Sequence, residues 1–244
     1  MSAPDRVSAR IESVTPLGAG VREIRLRAEG PASFLPGHYL QILHPDGAAI
    51  PFSIASAPQE LPAITLHYLA QPDSEDATRV ESLLATAERM DLLLPCGDCG
   101  FTAPLARPLL ALAGGSGIAQ IRSLLHSMLP APVPLRLYWG AARADDLYLA
   151  SELDALATRH DGFTWIPVAE AASSDPRVRK GRIGDAVAAD VTAGELDLSS
   201  WEVLIAGGPP MVWGTVAALR HCGLSQTRTR SDVFDYAPRD DLWA

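Results

Sequence analysis

Ala113-Gly114-Gly115-Ser116-Gly117-Ile118 joins an apolar run, Leu109 to Ala113, to a helix-patterned stretch from about Ile118 to Met128. Glycines at such a junction let the backbone approach a pyrophosphate, and the N–H groups of a helix start favour its negative charge. Taken alone, the same turn also serves as a tight connection, and it is not the G-x-G-x-x-G fingerprint. A second stretch, Ala206-Gly207-Gly208-Pro209-Pro210-Met211, repeats the arrangement between the run Val203 to Ala206 and a helix from Met211 to His221. Prolines preset a helix start, which accounts for Pro209 and Pro210 but not for the two glycines before them. Two glycine turns at the carboxyl ends of parallel strands bring two parts of one cleft together, and a dinucleotide fits such a cleft.

Around these turns the second half of the chain keeps one rhythm. Leu135 to Trp139 precedes a helix from about Leu147 to Thr158, and Trp165 to Val168 reads as a further strand. Repeated strand–helix units require crossovers, hence a Rossmann-like parallel sheet with helices on both faces. Residues 1 to about 102 read differently. Val7 to Val14 and Val21 to Ala28 alternate apolar and polar residues, and Tyr39 to His44, Pro51 to Ala55 and Ile64 to Leu69 follow. Turn signals at Pro36-Gly37 and Pro45-Asp46-Gly47 separate them, as in a small antiparallel barrel or sandwich. One helix, from about Ala77 to Arg89, interrupts the strands. Two domains are expected, 1–105 and 106–244.

The whole chain has 244 residues, 48% hydrophobic and 20% charged, with a formal net charge of -9. That is the composition of a packed globular protein, and the longest apolar runs fall far short of the roughly 20 residues that span a bilayer. The acidic balance argues against nucleic acid or an anionic membrane as partner. Met1 to Arg10 holds no apolar stretch of the secretory kind, so a cytoplasmic location is the expectation. Three cysteines, Cys96, Cys99 and Cys222, are too few for a four-cysteine iron–sulfur cluster. Cys96-Gly-Asp-Cys99 has redox-pair spacing but follows a strand, and reads as a turn carrying two thiols; no metal site is expected.

The order of segments resembles the ferredoxin reductase superfamily over nearly the whole chain. Phe34-Leu35-Pro36-Gly37-His38-Tyr39 is similar to its F-x-P/A-G-Q-Y strand, and Pro51-Phe52-Ser53 to its R-P-Y/F-S flavin motif. Leu92 to Phe101, with Pro95 and Gly97, resembles the last barrel strand. Gly114 to Gly117 resembles the G-G-T-G nucleotide turn, and Tyr138-Trp139-Gly140 with Arg143, Asp146-Leu147 and Glu152-Leu153 the series after it. Gly181 and Gly184 match a glycine pair in a loop, Gly207 to Met211 resembles G-P-P-x-M, and Asp232-Val233-Phe234 the terminal E-x-F.

The resemblance implies a six-stranded antiparallel Greek-key barrel for a flavin, FAD or FMN, followed by a domain for NADH or NADPH. It implies that hydride passes from nicotinamide to flavin. By match, Pro51, Phe52 and Ser53 lie at the flavin, with Ser53 the main rate-affecting residue, and His67, Tyr68 and Leu69 line its ring and ribityl chain. Gly114, Gly115, Ser116 and Gly117 hold the nucleotide with Gly207, Gly208, Pro209 and Met211. Arg143 stands where a basic side chain meets a 2′-phosphate, though that position also serves domain structure. Asp232 and Phe234 close the nicotinamide side, unless Phe234 is the core residue of a last strand.

Departures from the pattern bear on function. Ile50 replaces the arginine of the flavin motif, and Arg79 is the residue that compensates, unless it is simply solvated. Ala206 occupies the catalytic cysteine position and Gln120 a common proline position; both changes favour the flavin reductase branch. That branch passes electrons to free flavin or to a separate oxygenase or ferredoxin. The alternatives are a reductase component that retains FAD, and a non-catalytic flavin- or nucleotide-binding subunit.

Overall fold

A computed structural model describes residues 4–243. The chain divides into two compact units: the first runs up to Thr102 and takes in Ala119–Ser127; the second comprises Ala103–Ile118 and the chain from Met128 onward.

In the first unit, alternation builds the strands β1 (Asp5–Gly18), β2 (Val21–Ala28), β3 (Tyr39–Leu43), β4 (Ala49–Ser53), β5 (Ala63–Leu69) and β6 (Arg89–Cys96). Along β2, Val21, Ile24, Leu26 and Ala28 are buried while Arg25 and Arg27 face water, the period of two that a half-buried strand requires. The strands pair antiparallel in the order β4-β3-β6-β1-β2-β5. An Ile54–Leu66 bridge and the Ala55 N–H to Thr65 carbonyl bond of 2.8 Å join the two ends, so the sheet curls onto itself. Its inner face is filled by Ile24, Leu26, Leu40, Ile42, Ile64, Leu66 and Leu92, all fully buried. Each such side chain contributes about 1.5–3 kcal/mol.

Helix α1 (Glu75–Thr86) closes one side of this barrel. Ser74 caps it by accepting the Ala77 N–H, and Val80 and Leu83 are its buried residues. The helix expected to reach Arg89 ends at Thr86 because pairing with β1 claims the next residues. The Ile11 N–H bonds the Glu88 carbonyl at 2.9 Å, and Arg89 pairs with Arg10 as the first residue of β6.

The second unit holds β7 (Leu109–Gly114), β8 (Leu135–Ala141), β9 (Phe163–Ala169), β10 (Arg179–Lys180), β11 (Glu202–Ala206) and β12 (Thr229–Arg230). They form a parallel sheet in the order β10-β9-β8-β7-β11-β12. Helix α2 (Ile118–Met128) follows β7, α3 (Ala150–Arg159) follows β8, α4 (Ile183–Thr192) follows β10, α5 (Pro209–Leu219) follows β11 and α6 (Val233–Tyr236) follows β12. Two sequence expectations are corrected here. Gly184, read as part of a loop, lies inside α4, where a Cβ would stand 2.8 Å from the Ala218 Cβ of α5, so its missing side chain lets two helices approach. The alternative that made Phe234 the core residue of a last strand does not hold: Phe234 lies in α6, and the strand before it is only Thr229–Arg230.

Among the described residues no helix is long and apolar enough to cross a membrane.

Candidate functional site

The second sheet changes direction between β7 and β11. From β7 the chain moves outward through β8, β9 and β10, then returns to lay β11 and β12 on the other side. Open α/β sheets bind ligands outside the carboxyl ends of their strands at such a switch point. Ala113 pairs with Ala206, so the glycine turns after β7 and β11 leave the sheet at the same level.

The two turns are built into each other. A Cβ on Gly117 would lie 2.3 Å from the Ala206 carbonyl oxygen, and one on Gly114 would lie 2.8 Å from Met211 Cγ. Gly115 differs: its φ of +53° is left-handed, and a Cβ there would meet nothing within 4 Å. That side of the turn is an open cradle. Trp139, buried in β8, donates its Nε1–H to the Gly115 carbonyl at 2.9 Å and fixes the direction in which the turn faces. The start of α5 has fewer donors, because Pro209 and Pro210 carry no N–H; Gly208 caps it by accepting from Met211 and Val212. The arrangement fits a pyrophosphate on the Gly115 side, with Met211 packed between the turns.

Other residues expected at the nucleotide take varied places. Arg143 is exposed, its backbone N–H bonded to the Asp146 carboxylate at 3.0 Å and its guanidinium 3.6 Å from Asp145. Phe234 stacks on Trp213 with 5.0 Å between centroids and meets the edge of Trp243 at 5.7 Å. Trp213 in turn bonds the Ala237 carbonyl at 2.8 Å. Phe234 thus belongs to a C-terminal aromatic cluster.

In the first unit, Pro51 is exposed and Phe52 and Ser53 are half-buried at the end of β4, with Ser53 paired to Tyr39. The Phe52 ring lies 5.9 Å from that of Tyr68, over which the Arg22 guanidinium sits at 5.0 Å. Burial, with Glu81 adding to it, pushes the Tyr68 hydroxyl up to about 12. His67 and Tyr68 are buried and Leu69 is exposed on β5. This partly open aromatic surface fits a flavin ring.

A flavin phosphate finds less. Ile50 is 4% exposed and belongs to the barrel core. Arg79 bonds Asp46 at 2.7 Å, Asp76 at 3.2 Å and Glu75 at 3.3 Å, so three carboxylates already surround it. Hydrogen bonds from Arg79, the Ala48 N–H and His44 hold the Asp46 carboxyl well below the usual carboxylate range.

Sequence reasoning passed over several residues. Trp139 reads only as a strand residue, and the partner of its N–H is a carbonyl 24 positions away. His38, half of a glycine–aromatic motif, is buried with its Nδ1 accepting the Leu35 N–H at 3.1 Å. Cys96 is half-buried and Cys99 buried, and no disulfide joins them.

Comparison with known proteins gives this geometry its context. An NAD(P)H-flavin reductase of Vibrio harveyi is 31% identical over 208 residues, covering 82% of this chain and 86% of that protein. The chain belongs to the ferredoxin reductase superfamily. Residues 111–216 match the family model for the oxidoreductase NAD-binding domain, which contains both glycine turns. Reductase component 2 of the terephthalate 1,2-dioxygenase of a Comamonas species is 30% identical over 241 residues, covering 97% of this chain and 70% of that one. Among solved structures, an Amycolatopsis cytochrome P450 reductase superposes with a TM-score of 0.83 at 26% identity, covering 95% of this chain and 71% of that one. As a member of the superfamily this protein is an NAD(P)H-dependent flavin oxidoreductase.

Proposed function

We propose that the protein is an NAD(P)H:flavin reductase, which takes FAD or FMN as a loosely held second substrate and releases it reduced to free solution or to a separate acceptor. The observation that carries this reading is the charge around the barrel's flavin strand. Where the superfamily motif places arginine, Ile50 is sunk in the core, and Arg79 is encircled by Asp46, Glu75 and Asp76. A charge-assisted hydrogen bond contributes about 1.5–3 kcal/mol, so losing one weakens binding about ten- to a hundredfold. Tight retention of a phosphate-bearing flavin is therefore disfavoured.

When bound, the flavin supplies the two-electron acceptor: NAD(P)H, a proton and oxidised flavin give NAD(P)+ and reduced flavin. The chain's own residues then have a positioning task, since reacting atoms must come within about 3–3.5 Å in the right orientation. Phe52 and Tyr68 offer the apolar surface for the ring, and His67 and Leu69 the strand beside it. Ser53 presents a hydroxyl at the ring, and Pro51 stiffens the strand entering it. In the second unit Gly115, Ser116 and Gly117 take the pyrophosphate, while Gly207, Gly208 and Pro209 shape the neighbouring turn. Arg143 stands at the adenosine end, and Asp232 and Phe234 at the nicotinamide end. On this reading residues 1–105 form the flavin domain and 106–244 the nucleotide domain.

A second reading, a component that retains FAD and feeds an oxygenase or ferredoxin, is favoured by the likeness to the Comamonas dioxygenase reductase across 97% of this chain. One experiment separates them. NADH and NADPH oxidation by flavin-stripped protein is followed with and without riboflavin, FMN or FAD, and repeated with Ser53→Ala. Turnover that requires added flavin and drops with Ser53→Ala is the expected result. FAD that copurifies and resists stripping would favour the second reading, and absence of turnover with every flavin would overturn the first.

A further inference from the structure

Ser53 stands on one of the two end strands of the barrel's sheet. β4 is an end strand in its sheet: β3 pairs with it along one edge, and on the other edge the Ile54–Leu66 bridge and the Ala55 N–H to Thr65 carbonyl bond, both just past its last residue, join it to β5. At the open end of the β3–β4 hairpin, where Ser53 faces Tyr39, the ladder is already giving out; the Ile54 N–H reaches the His38 carbonyl only at 3.4 Å. A strand held this way has freedom to shift by fractions of an ångström.

Helix α2 removes that freedom. Its residues Ala119–Ser127 belong to the first unit. Gln120 donates its side-chain amide to the Gly37 carbonyl at 2.5 Å, just before β3 begins. Arg122 donates to the Ala55 carbonyl at 3.0 Å and Ser123 to the Ser56 carbonyl at 2.6 Å, just after β4 ends. Gln120 and Ser123 are three apart, on one helical face, and both are buried. Ser56 is tied from the other side as well, its hydroxyl accepting the Thr65 N–H of β5 at 3.0 Å. The helix therefore ties both strands of the hairpin at its open end, directly beyond the Tyr39–Ser53 pair.

We propose that Gln120 and Ser123 are positioning residues for the reaction: through the Gly37 and Ser56 carbonyls they fix the place of Ser53 and Phe52 at the flavin. The proposal rests on the flavin-reductase reading. It gives Gln120 a task in this chain that a proline at the same position does not perform, because proline has no side-chain donor. A small displacement of a reacting or orienting group costs far more rate than stability, so the two effects separate.

The test compares the double variant Gln120→Ala/Ser123→Ala, Ser123→Ala alone, Ser123→Thr and Gln59→Ala. Gln59 donates to the His126 carbonyl at 2.9 Å, at the far end of the same helix, and so controls for loss of a bond that is remote from Ser53. Three quantities are read for each: kcat with saturating flavin, the dissociation constant of riboflavin from its fluorescence quenching, and the melting temperature. The expected result is a kcat lower by about tenfold or more and weaker riboflavin binding in the alanine variants. Ser123→Thr, which keeps the hydroxyl, and Gln59→Ala should stay near the parent protein. Folded alanine variants with unchanged kcat and riboflavin binding would overturn the proposal, as would an equal loss in Gln59→Ala. If the double variant does not melt cooperatively, Ser123→Ala carries the comparison. Failure of the parent protein to reduce any flavin would instead overturn the flavin-reductase reading, and riboflavin binding would still test the clamp.

Discussion

The Cα of Gly117 faces the carbonyl of Ala206 so closely that a Cβ on it would fall 2.3 Å from the oxygen, with Ala206 C at 2.6 Å and Gly207 N at 2.9 Å. All three atoms are backbone, so no side chain can swing away to make room. Gly117→Ala must push the turn after β7 away from the turn after β11. Overpacking of this kind costs about 1–3 kcal/mol. The expected outcome is a lower melting temperature together with loss of NAD+ binding in calorimetry, because both turns move.

Gly115 offers the contrasting case. Its Cβ direction is open, but φ is +53°, a region that costs an L-residue about 1–2 kcal/mol. Gly115→Ala should therefore lower stability modestly and place a methyl in the cradle proposed for the pyrophosphate. ADP-ribose titration is the decisive measurement: undiminished binding by this variant would show that the phosphates do not lie on that side of the turn.

Trp139 holds the same turn from beneath. Trp139→Phe keeps most of the buried ring but removes the N–H that meets the Gly115 carbonyl, a bond with a net contribution of about 0.5–1.5 kcal/mol. The turn should loosen, raising KM for the nucleotide with little change in kcat. Steady-state kinetics at saturating flavin would show it, and an effect confined to kcat would contradict the assignment.

The sequence made these turns legible because glycine between an apolar run and a helical pattern is a local signal. The barrel strands were legible for the same reason, through alternation in Val21–Ala28 and its neighbours. Helix α4 was not: Ile183 to Thr192 is rich in Ala and Val, and Gly181 and Gly184 at its start read as a loop, whereas Gly184 is there to let α5 approach. β10 and β12, two residues each, are too short to show any period. The end of α1 was misplaced and the short α6 was not foreseen, because pairing with β1 and packing on Trp213 decided them, and both are tertiary effects. The same holds in the site. Nothing near Gln120 or Ser123 in sequence announces that their partners are carbonyls more than 60 residues earlier.

Asp190, buried on α4, accepts hydrogen bonds from the Tyr138 hydroxyl of β8 and the Arg179 guanidinium of β10, and so ties an edge strand and a helix to the middle of the sheet. Burial works to raise the Asp190 carboxyl, but Arg179 and Tyr138 outweigh it and the net shift is downward. The same burial and the carboxylate push Tyr138 up to about 12. Removing one partner of a buried pair costs about 3–5 kcal/mol, reduced here because Arg179 is partly exposed to water. Asp190→Ala should destabilise the second unit strongly and Asp190→Asn less, as measured by urea midpoints.

His38 should make stability fall on the acid side of neutrality. It is 7% exposed, its Nδ1 accepts the Leu35 N–H, and its ring lies against the chain so closely that a Cβ on Gly100 would meet Nε2 at 2.3 Å. Burial lowers its pKa, with Asp98 pulling weakly the other way. Protonation would also turn the Nδ1 acceptor into a donor facing another donor. The folded value lies below the unfolded one of about 6.5, so between them the unfolded chain binds more protons. The stability from neutral His38 is therefore fully present above the unfolded value and is lost as pH falls through the folded one. Glutamine, the residue of the superfamily motif at this place, has an acceptor and does not titrate. Urea midpoints taken from pH 8 down to pH 5 should decline more steeply for the parent protein than for His38→Gln, and parallel declines would show that His38 protonates as easily folded as unfolded.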